Sequence, residues 1–284
     1  MNWSKKLFWK ALRRLYYLSF QIIETILNNF LGSPVKSVMK IRNPKYIYED
    51  YKSILNGQVL YPLIRIGSDL DGGYWVPDAL TDIEACFSPG YGGTKTFEDH
   101  LDLLGIESYI CDPTFNEILE LSERQKFRNV RLASQSIIME NKINLSDWLK
   151  LEGFETSNNL ILQMDIEGAE YDILNHASHD TISQFKIIVI ELHNLDSLFI
   201  SDNFSELFNH CINKLKRNHT LVNCDVNNAG GFHSYKFKKF PKVIELSFLR
   251  KDSFSNEKYV GNTLLANKTS LNVLERKSFD FPTL

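Results

Sequence analysis

The sequence has no uninterrupted apolar run as long as a transmembrane helix needs, and no small-residue cleavage site follows its N-terminus. It also has little net charge, -3 over 284 residues. Broad nucleic-acid binding requires a basic excess over a whole face, so we expect no nucleic-acid partner. These absences predict a folded cytoplasmic protein.

Cysteine is scarce and never closely paired. The four cysteines, Cys86, Cys111, Cys211 and Cys224, lie far apart in the chain. Zinc and redox motifs need close pairs, so the sequence contains neither motif. Cys86 and Cys111 fall inside apolar, strand-like runs that are typical of a protein core. We therefore expect reduced thiols in a reducing compartment.

Two nucleotide-binding fingerprints are missing as well. Residues 83–87 predict a strand, residues 88–94 (Ser-Pro-Gly-Tyr-Gly-Gly-Thr) a loop and residues 95–104 a helix. This order lets backbone amides approach a nucleotide-like ligand closely. The loop matches neither G-x-G-x-x-G nor the Gly-Lys-Ser/Thr of a phosphate-binding loop. Ser88, Gly90 and Gly92 are the predicted cofactor contacts.

A carboxylate ends the next predicted strand, which spans residues 107–111. Asp112 lies where α/β nucleotide-binding domains place an acid against ribose hydroxyls, about twenty residues beyond the glycine-rich loop. The alternative is an aspartate that only shapes the turn before Pro113.

The most informative stretch is residues 160–171, where an apolar run ends in three carboxylates and a glycine. The pattern predicts a buried strand that leads into a helix. Asp165 would then lie at the crevice beyond the strand ends, where open α/β sheets bind ligands. Its alternative role is that of a helix N-cap. Glu170 is expected to interact favourably with the helix dipole and to have a surface or structural role.

A second group of polar residues follows the predicted strand 185–192. His193 would emerge next to Asp165 if these two strands are neighbours. Several residues near strand ends also offer ligands for a divalent ion, although they lack a fixed spacing. These metal candidates are Asp165, Glu191, His193, Asp225 and Asn227.

Residues 1–32 form the one compositional outlier and predict an amphipathic helix. Five basic residues precede any acid and alternate with aromatic and aliphatic side chains. Such a helix can lie in a membrane interface, on the inner face of the plasma membrane, through residues 1–31. The alternative is a helix that packs on the domain or forms a homo-oligomer.

The remaining pattern predicts a hairpin at residues 63–76 around an Asp-Gly-Gly turn. We also predict helices at residues 115–127, 145–151 and 204–215, and strands at 130–133, 220–224 and 241–250. The division is an N-terminal helix (1–32), a lead-in segment with the hairpin (33–82), a main domain (83–252) and a tail (253–284). Strands that alternate with helices predict a Rossmann-like α/β fold with a mostly parallel sheet. The connection between the last two predicted strands, after Cys224, is short, which predicts an antiparallel C-terminal strand pair.

This layout is that of class I S-adenosylmethionine-dependent methyltransferases, and residues 164–171 (Met-Asp-Ile-Glu-Gly-Ala-Glu-Tyr) resemble the most recognisable motif of the FkbM family. Further segments are similar to a bacterial branch often found in surface-polysaccharide gene clusters. They are residues 65–67, 71–74, 88–90, 97–98, 112–114, 227–228, 243–246 and 250–251.

The resemblance covers residues 60–252 and implies O-methyl transfer from S-adenosylmethionine to a sugar hydroxyl of a glycan or glycolipid-linked polysaccharide. A hydroxyl is a poor nucleophile until its proton leaves, so Asp165 or His193 is the predicted base. Asp165 also belongs to the predicted cofactor site. The predicted acceptor-binding residues are Asp71, Tyr74, Asn227 and Asn228. The rival functions are a nicotinamide-dependent sugar oxidoreductase and a non-catalytic scaffold of a glycan-assembly complex.

Overall fold

The computed structural model describes residues 41–118, 120–235, 238–254 and 271–273. The predicted helix in residues 1–32 and its membrane contact lie outside these residues, as does most of the predicted tail. Among the described residues, no helix is both long and apolar enough to cross a membrane.

The described helices are α1 (Pro44–Leu55), α2 (Thr96–Leu103), α3 (Leu145–Leu151), α4 (Glu170–His176), α5 (His179–Ser183) and α6 (Asp202–Asn218). The strands are β1 (Leu63–Ile66), β2 (Tyr74–Pro77), β3 (Ala85–Pro89), β4 (Glu107–Cys111), β5 (Gln125–Arg128), β6 (Arg131–Leu132), β7 (Lys142–Ile143), β8 (Leu160–Met164), β9 (Phe185–Leu192), β10 (His219–Val226), β11 (Phe232–Tyr235), β12 (Lys238–Pro241) and β13 (Ile244–Arg250).

A seven-stranded sheet organises the molecule, in the order β10-β13-β9-β8-β3-β4-β5. The pairs within β5-β4-β3-β8-β9 are parallel, whereas β13 runs antiparallel to both β9 and β10. Strands β8 and β9 are nearly continuous apolar runs because both faces of the sheet are covered. The predicted fold, with its antiparallel C-terminal pair, is confirmed.

The sheet changes direction between β3 and β8. From β3 the chain moves outward to β4 and β5, and it then returns to place β8 on the other side of β3. Loops that leave two such neighbouring strands turn to opposite faces, which opens a crevice at the carboxyl ends of the strands. The loop after β3 and Asp165 after β8 meet at this crevice.

Two apolar layers enclose the sheet. Helices α1, α3, α4, α5 and α6 contribute Ile47, Trp148, Leu174, Ile182 and Phe208 to one buried cluster. The β1–β2 hairpin and α2 contribute Ile66, Val76 and Phe97 to the cluster on the opposite face. The hairpin predicted from the Asp-Gly-Gly turn is therefore one of the two walls of the core.

The predicted helix at residues 115–127 is wrong. The structure places no helix in the described part of this segment, and β5 takes up its end. Strand β5 pairs with β4 through Ser108 and Gln125, and the Gln125 side chain donates to Asp99 Oδ1 at 2.9 Å. Pairing along the edge of the sheet outweighs the local helical pattern. The predicted third strand at residues 130–133 shrinks to β6, which pairs with β7 outside the large sheet.

Two further elements differ from the prediction. Residues 44–55, predicted only as a lead-in, form α1, which Asn43 caps by accepting from the backbone N–H of Lys45. The predicted last strand at 241–250 is divided, because Pro241 ends β12 and β13 begins only at Ile244. Strand β12 pairs with β11 as a separate hairpin.

Candidate active site

The loop after β3 approaches the end of β8 too closely for any side chain at Gly90. Gly90 has a φ of +99°, and a Cβ on it would lie 1.7 Å from the carbonyl oxygen of Asp165. Its N–H donates to the carbonyl of Cys111 at 2.9 Å, and Asp165 N–H donates to the carbonyl of Pro89 at 3.3 Å. The glycine thus brings the predicted cofactor loop against the predicted catalytic residue.

Asp112 has the predicted role of a turn aspartate and also contacts the glycine-rich loop. Its Oδ1 accepts from the N–H of Thr114 at 2.7 Å, as a turn aspartate does, and its Oδ2 accepts from the N–H of Gly92 at 3.2 Å. The side chain therefore ties the glycine-rich loop to the end of β4. This position at the crevice is the one expected of a carboxylate that contacts a nucleoside ribose.

Ser88 uses its side chain inside the protein. The residue is fully buried, and its hydroxyl contacts Glu98 and Gln163, with 2.6 Å to Gln163 Oε1. Burial raises the pKa of Glu98, against the opposing effect of the hydrogen bond from Ser88. The hydroxyl of Ser88 is thus engaged by two buried side chains. Any contact of Ser88 with a cofactor is left to its backbone.

Asp165 and His193 lie together, as their positions after neighbouring strands predict. His193 Nε2 is 3.7 Å from Asp165 Oδ1, and Tyr74 donates its hydroxyl to Asp165 Oδ2 at 3.4 Å. Burial raises the pKa of Asp165 to about 7, while the charge of His193 opposes the rise. Asp71 contributes by its charge to the same rise, which places the hairpin turn beside the site.

Glu170 holds His193 in place from a buried position, so of its two predicted roles it has the structural one and not the one on the helix surface. The carboxylate is fully buried, and its Oε1 accepts from the N–H groups of Ile166 at 3.2 Å and Gly168 at 3.1 Å. The same oxygen lies 2.9 Å from His193 Nδ1. Burial alone would lower the pKa of His193, but the hydrogen bond and charge of Glu170 raise it to about 9.

The other nitrogen of His193 faces acidic groups. Nε2 lies 3.4 Å from Glu191 Oε1 and 3.6 Å from Glu167 Oε2. Asp165, Glu170 and His193 each offer a potential metal-ligand atom, and these three atoms lie within 4.8 Å of one another. Two of the predicted metal candidates, Asp165 and His193, are thus in one group.

The metal candidates Asp225 and Asn227 lie near the end of β10. Asn227 donates its side-chain amide to Glu191 Oε1 at 2.8 Å and accepts from the N–H of Ala229. Asp225 lies on β10, which β13 separates from β9. Asn227 therefore supports Glu191 rather than facing His193 directly.

A row of buried acids crosses the end of the sheet, and one member of it, Glu245, is a site residue that we did not predict. Glu245 on β13 is directly opposite both Glu191 on β9 and Asp225 on β10. Burial, together with the charge of Asp225, raises the pKa of Glu245 to about 8, and burial raises that of Glu191 well above its usual range. The only signal in the sequence was an acid inside the apolar run 243–246.

The predicted acceptor residue Asn228 forms hydrogen bonds with residues 272 and 273. Its Oδ1 accepts from the N–H groups of Asn272 at 2.9 Å and Val273 at 3.0 Å, and its amide donates to the carbonyl of Val273 at 2.8 Å. Asn272 in turn donates to Glu245 Oε1 at 2.7 Å. Residues 271–273 thereby join the acidic row, which the predicted polar tail did not anticipate.

One family model matches the middle of the chain. A model of the methyltransferase FkbM domain matches residues 114–220. The matched range contains Asp165, Glu170, Glu191 and His193, whereas the glycine-rich loop lies before it. No curated protein matches the chain.

Two solved structures are similar to parts of the chain. One is a protein described as an inferred DNA modification methyltransferase from an E. coli prophage, with 9% identity and a TM-score of 0.36 over 60% of this chain and 47% of that chain. The other is methyltransferase FkbM from Methylobacillus flagellatus KT, with 15% identity and a TM-score of 0.34 over 59% of this chain and 44% of that chain. The match thus spans less than half of the length of either relative. Residues 114–220 match the methyltransferase FkbM domain, so the resemblance to the FkbM family that the sequence predicts is confirmed by the family match over this range.

Proposed function

We propose that the protein transfers a methyl group from S-adenosylmethionine to a sugar hydroxyl of a glycan or glycolipid-linked polysaccharide. The observation that carries the proposal is the close approach of Gly90 to Asp165 at the switch point of the sheet. It joins a loop suited to a nucleoside cofactor to a carboxylate suited to proton chemistry. Gly90, Gly92 and Asp112 would hold the cofactor from the side of β3 and β4.

Methyl transfer requires mainly that the two reactants be aligned. The sulfonium of S-adenosylmethionine is already a good leaving group, so the protein has to bring the methyl carbon and the acceptor oxygen into line. The hydroxyl must also become a better nucleophile as the bond forms. Asp165 and His193 are the groups proposed to act on it, and the Asp165 carboxylate is the more accessible, with 28% of its side chain exposed against 11% for His193.

The acceptor would enter between the hairpin and the acidic row. Tyr74 reaches Asp165 from the hairpin, and Asn227 reaches Glu191 from the loop after β10. Carboxylate and amide oxygens accept hydrogen bonds from sugar hydroxyls, which supports a polyhydroxylated acceptor. Residues 1–31, with their basic and aromatic composition, would bring the protein to a membrane that carries a lipid-linked glycan.

The experiment is mass spectrometry of the surface glycan from cells with and without the protein, and from cells that carry Asp165→Asn. The proposal expects one methyl group per acceptor site to be absent without the protein and at least about 100-fold reduced in the variant, within the usual contribution of a positioned acid or base. Asp172→Asn, an exposed acid on α4, is the control and should restore full methylation. Equal methylation in all four strains would exclude this function.

A further inference from the structure

His193 is oriented as metal-binding histidines are. Metal-ligating imidazoles donate their second N–H to a carboxylate, which fixes the tautomer and turns the other nitrogen toward the ion. Glu170 Oε1 lies 2.9 Å from Nδ1, and the backbone N–H groups of Ile166 and Gly168 fix that oxygen. The carboxylate is fully buried. Nε2 is therefore the nitrogen that faces the crevice.

The oxygen atoms around Nε2 are spaced like neighbouring ligands. Glu191 Oε1, Glu167 Oε2 and Asp165 Oδ1 lie 3.4, 3.6 and 3.7 Å from Nε2. The distances of 3.6 and 3.7 Å exceed those of N–H···O hydrogen bonds, which mostly span about 2.7–3.2 Å, and the distance of 3.4 Å is long for one. With bonds of about 2.1–2.4 Å to a six-coordinate ion, adjacent ligand atoms lie about 3.0–3.4 Å apart. A small inward movement of the carboxylates would complete such an arrangement.

Buried oxygen atoms in the same group lack donors. Asp165 Oδ1 and Glu170 Oε2 are both buried and have no hydrogen-bond partner among the described residues. A buried polar atom without a partner is costly, by about 1–3 kcal/mol. Both atoms belong to residues whose potential ligand atoms lie within 4.8 Å of one another and of one from His193. Together with the oriented imidazole, the unpartnered Asp165 Oδ1 points to a cation as the missing partner.

We propose that Asp165, Glu191 and His193 Nε2 bind one divalent cation, with Glu170 as the residue that orients His193. The ligands are two carboxylates and one imidazole, a set that accepts Mn²⁺. Asn227 holds Glu191 Oε1 through a 2.8 Å hydrogen bond and so fixes the second carboxylate. Only the role of the ion rests on the proposed function, since an ion at this place would polarise the acceptor hydroxyl. Its binding does not.

The test uses the full-length protein, stripped with a chelator and titrated with Mn²⁺ alone. Calorimetry should give one Mn²⁺ per chain, and pulsed electron paramagnetic resonance should show coupling to a ¹⁴N nucleus of His193. His193→Gln should remove that coupling, and both His193→Gln and Asp165→Asn should weaken binding at least about 10-fold. Glu170→Gln keeps an acceptor for Nδ1 but loses its charge, and should weaken binding by about 10-fold as other outer-shell changes do.

The matched control is the exposed pair on α4, in which His176 Nδ1 lies 3.1 Å from Asp172 Oδ1. His176→Gln should leave both affinity and ¹⁴N coupling unchanged. Absence of Mn²⁺ binding by the wild-type protein at millimolar concentration would overturn the site. Mn²⁺ affinities of His193→Gln and Asp165→Asn equal to that of the wild type would also overturn it. Circular dichroism identifies a variant that fails to fold. If His193→Gln fails to fold, the Mn²⁺ affinity of Asp165→Asn is the deciding measurement. Mn²⁺ binding without any binding of S-adenosylmethionine would support the ion site and contradict the proposed function.

Discussion

At the scale of single residues, the site depends on acids whose charge is controlled by burial. Asp165, Glu98, Glu191 and Glu245 all have pKa values raised chiefly by burial. Isolated buried carboxylates avoid charge unless a partner compensates for it. Glu98 finds its compensation in Ser88, and Asp165 is close to His193. The predicted cofactor loop and the predicted catalytic residue are thus both supported by buried acids.

Glu98→Gln should make the stability of the protein less sensitive to alkaline pH. Because burial raises the pKa of Glu98 above its value in the unfolded chain, its favourable protonation is complete below the unfolded pKa and is lost as pH rises through the folded pKa. Thermal unfolding should show a variant with a higher Tm than the wild type at pH 8 to 9 and little difference near pH 4. Glu123→Gln, on an exposed glutamate, is the control. A Tm gap of equal size at all pH values would contradict a raised pKa of Glu98 in the folded protein.

Sequence patterns located some site residues and missed others for a physical reason. Asp165 and His193 follow apolar strands directly, so their neighbouring positions could be predicted from the alternation of strands and helices. Glu245 and Asn272 reach the site only through strand pairing and through the contact of Asn228 with the chain end. Such long-range contacts leave no local pattern. The contact of Glu170 with His193 was not predicted, because an acid in the first turn of a helix is ordinarily explained by the helix dipole alone.

At the scale of elements, the close approach between the β3 loop and the end of β8 should be sensitive to one methyl group. Gly90→Ala would place a Cβ 1.7 Å from the Asp165 carbonyl at a φ of +99°. We expect loss of cofactor binding and a lower Tm, because the loop must move away from β8. Backbone strain alone accounts for about 1–3 kcal/mol of the destabilisation.

Gly105→Ala separates strain from contact. Gly105 also has a positive φ, +78°, but nothing lies within 4 Å of a Cβ placed on it. This variant should lose stability from strain alone and keep its affinity for the cofactor. Equal cofactor affinities in Gly90→Ala and Gly105→Ala would show that the approach to Asp165 has no part in cofactor binding.

The strands show where local pattern is sufficient and where it is not. Strands β4 and β9 begin and end at the predicted residues, and both are mostly buried. Residues 115–127 had a helical pattern, yet β5 forms because β4 offers an unpaired edge. The fold was thus predictable in its buried centre and less so at its edge, where tertiary pairing decides.

At the scale of the whole molecule, Asn228 connects residues 272 and 273 to the site. Asn228→Ala would remove three hydrogen bonds to residues 272 and 273. Hydrogen–deuterium exchange should show faster exchange of the amides of Asn272 and Val273, with the central strands unchanged. Asn129→Ala, in an exposed loop, should leave exchange at residues 271–273 unaltered. Unchanged exchange in Asn228→Ala would mean that other contacts hold this segment.

The proposed function requires that the crevice between β3 and β8 bind S-adenosylmethionine, with Asp112 and Gly90 among the residues that would hold it. Calorimetric titration with S-adenosylmethionine tests this most directly. The account predicts one bound cofactor per chain and binding at least about 10-fold weaker in Asp112→Asn, since a lost hydrogen bond to a charged group amounts to about 1.5–3 kcal/mol. No binding by the wild-type protein, or equal affinity in Asp112→Asn, would contradict it.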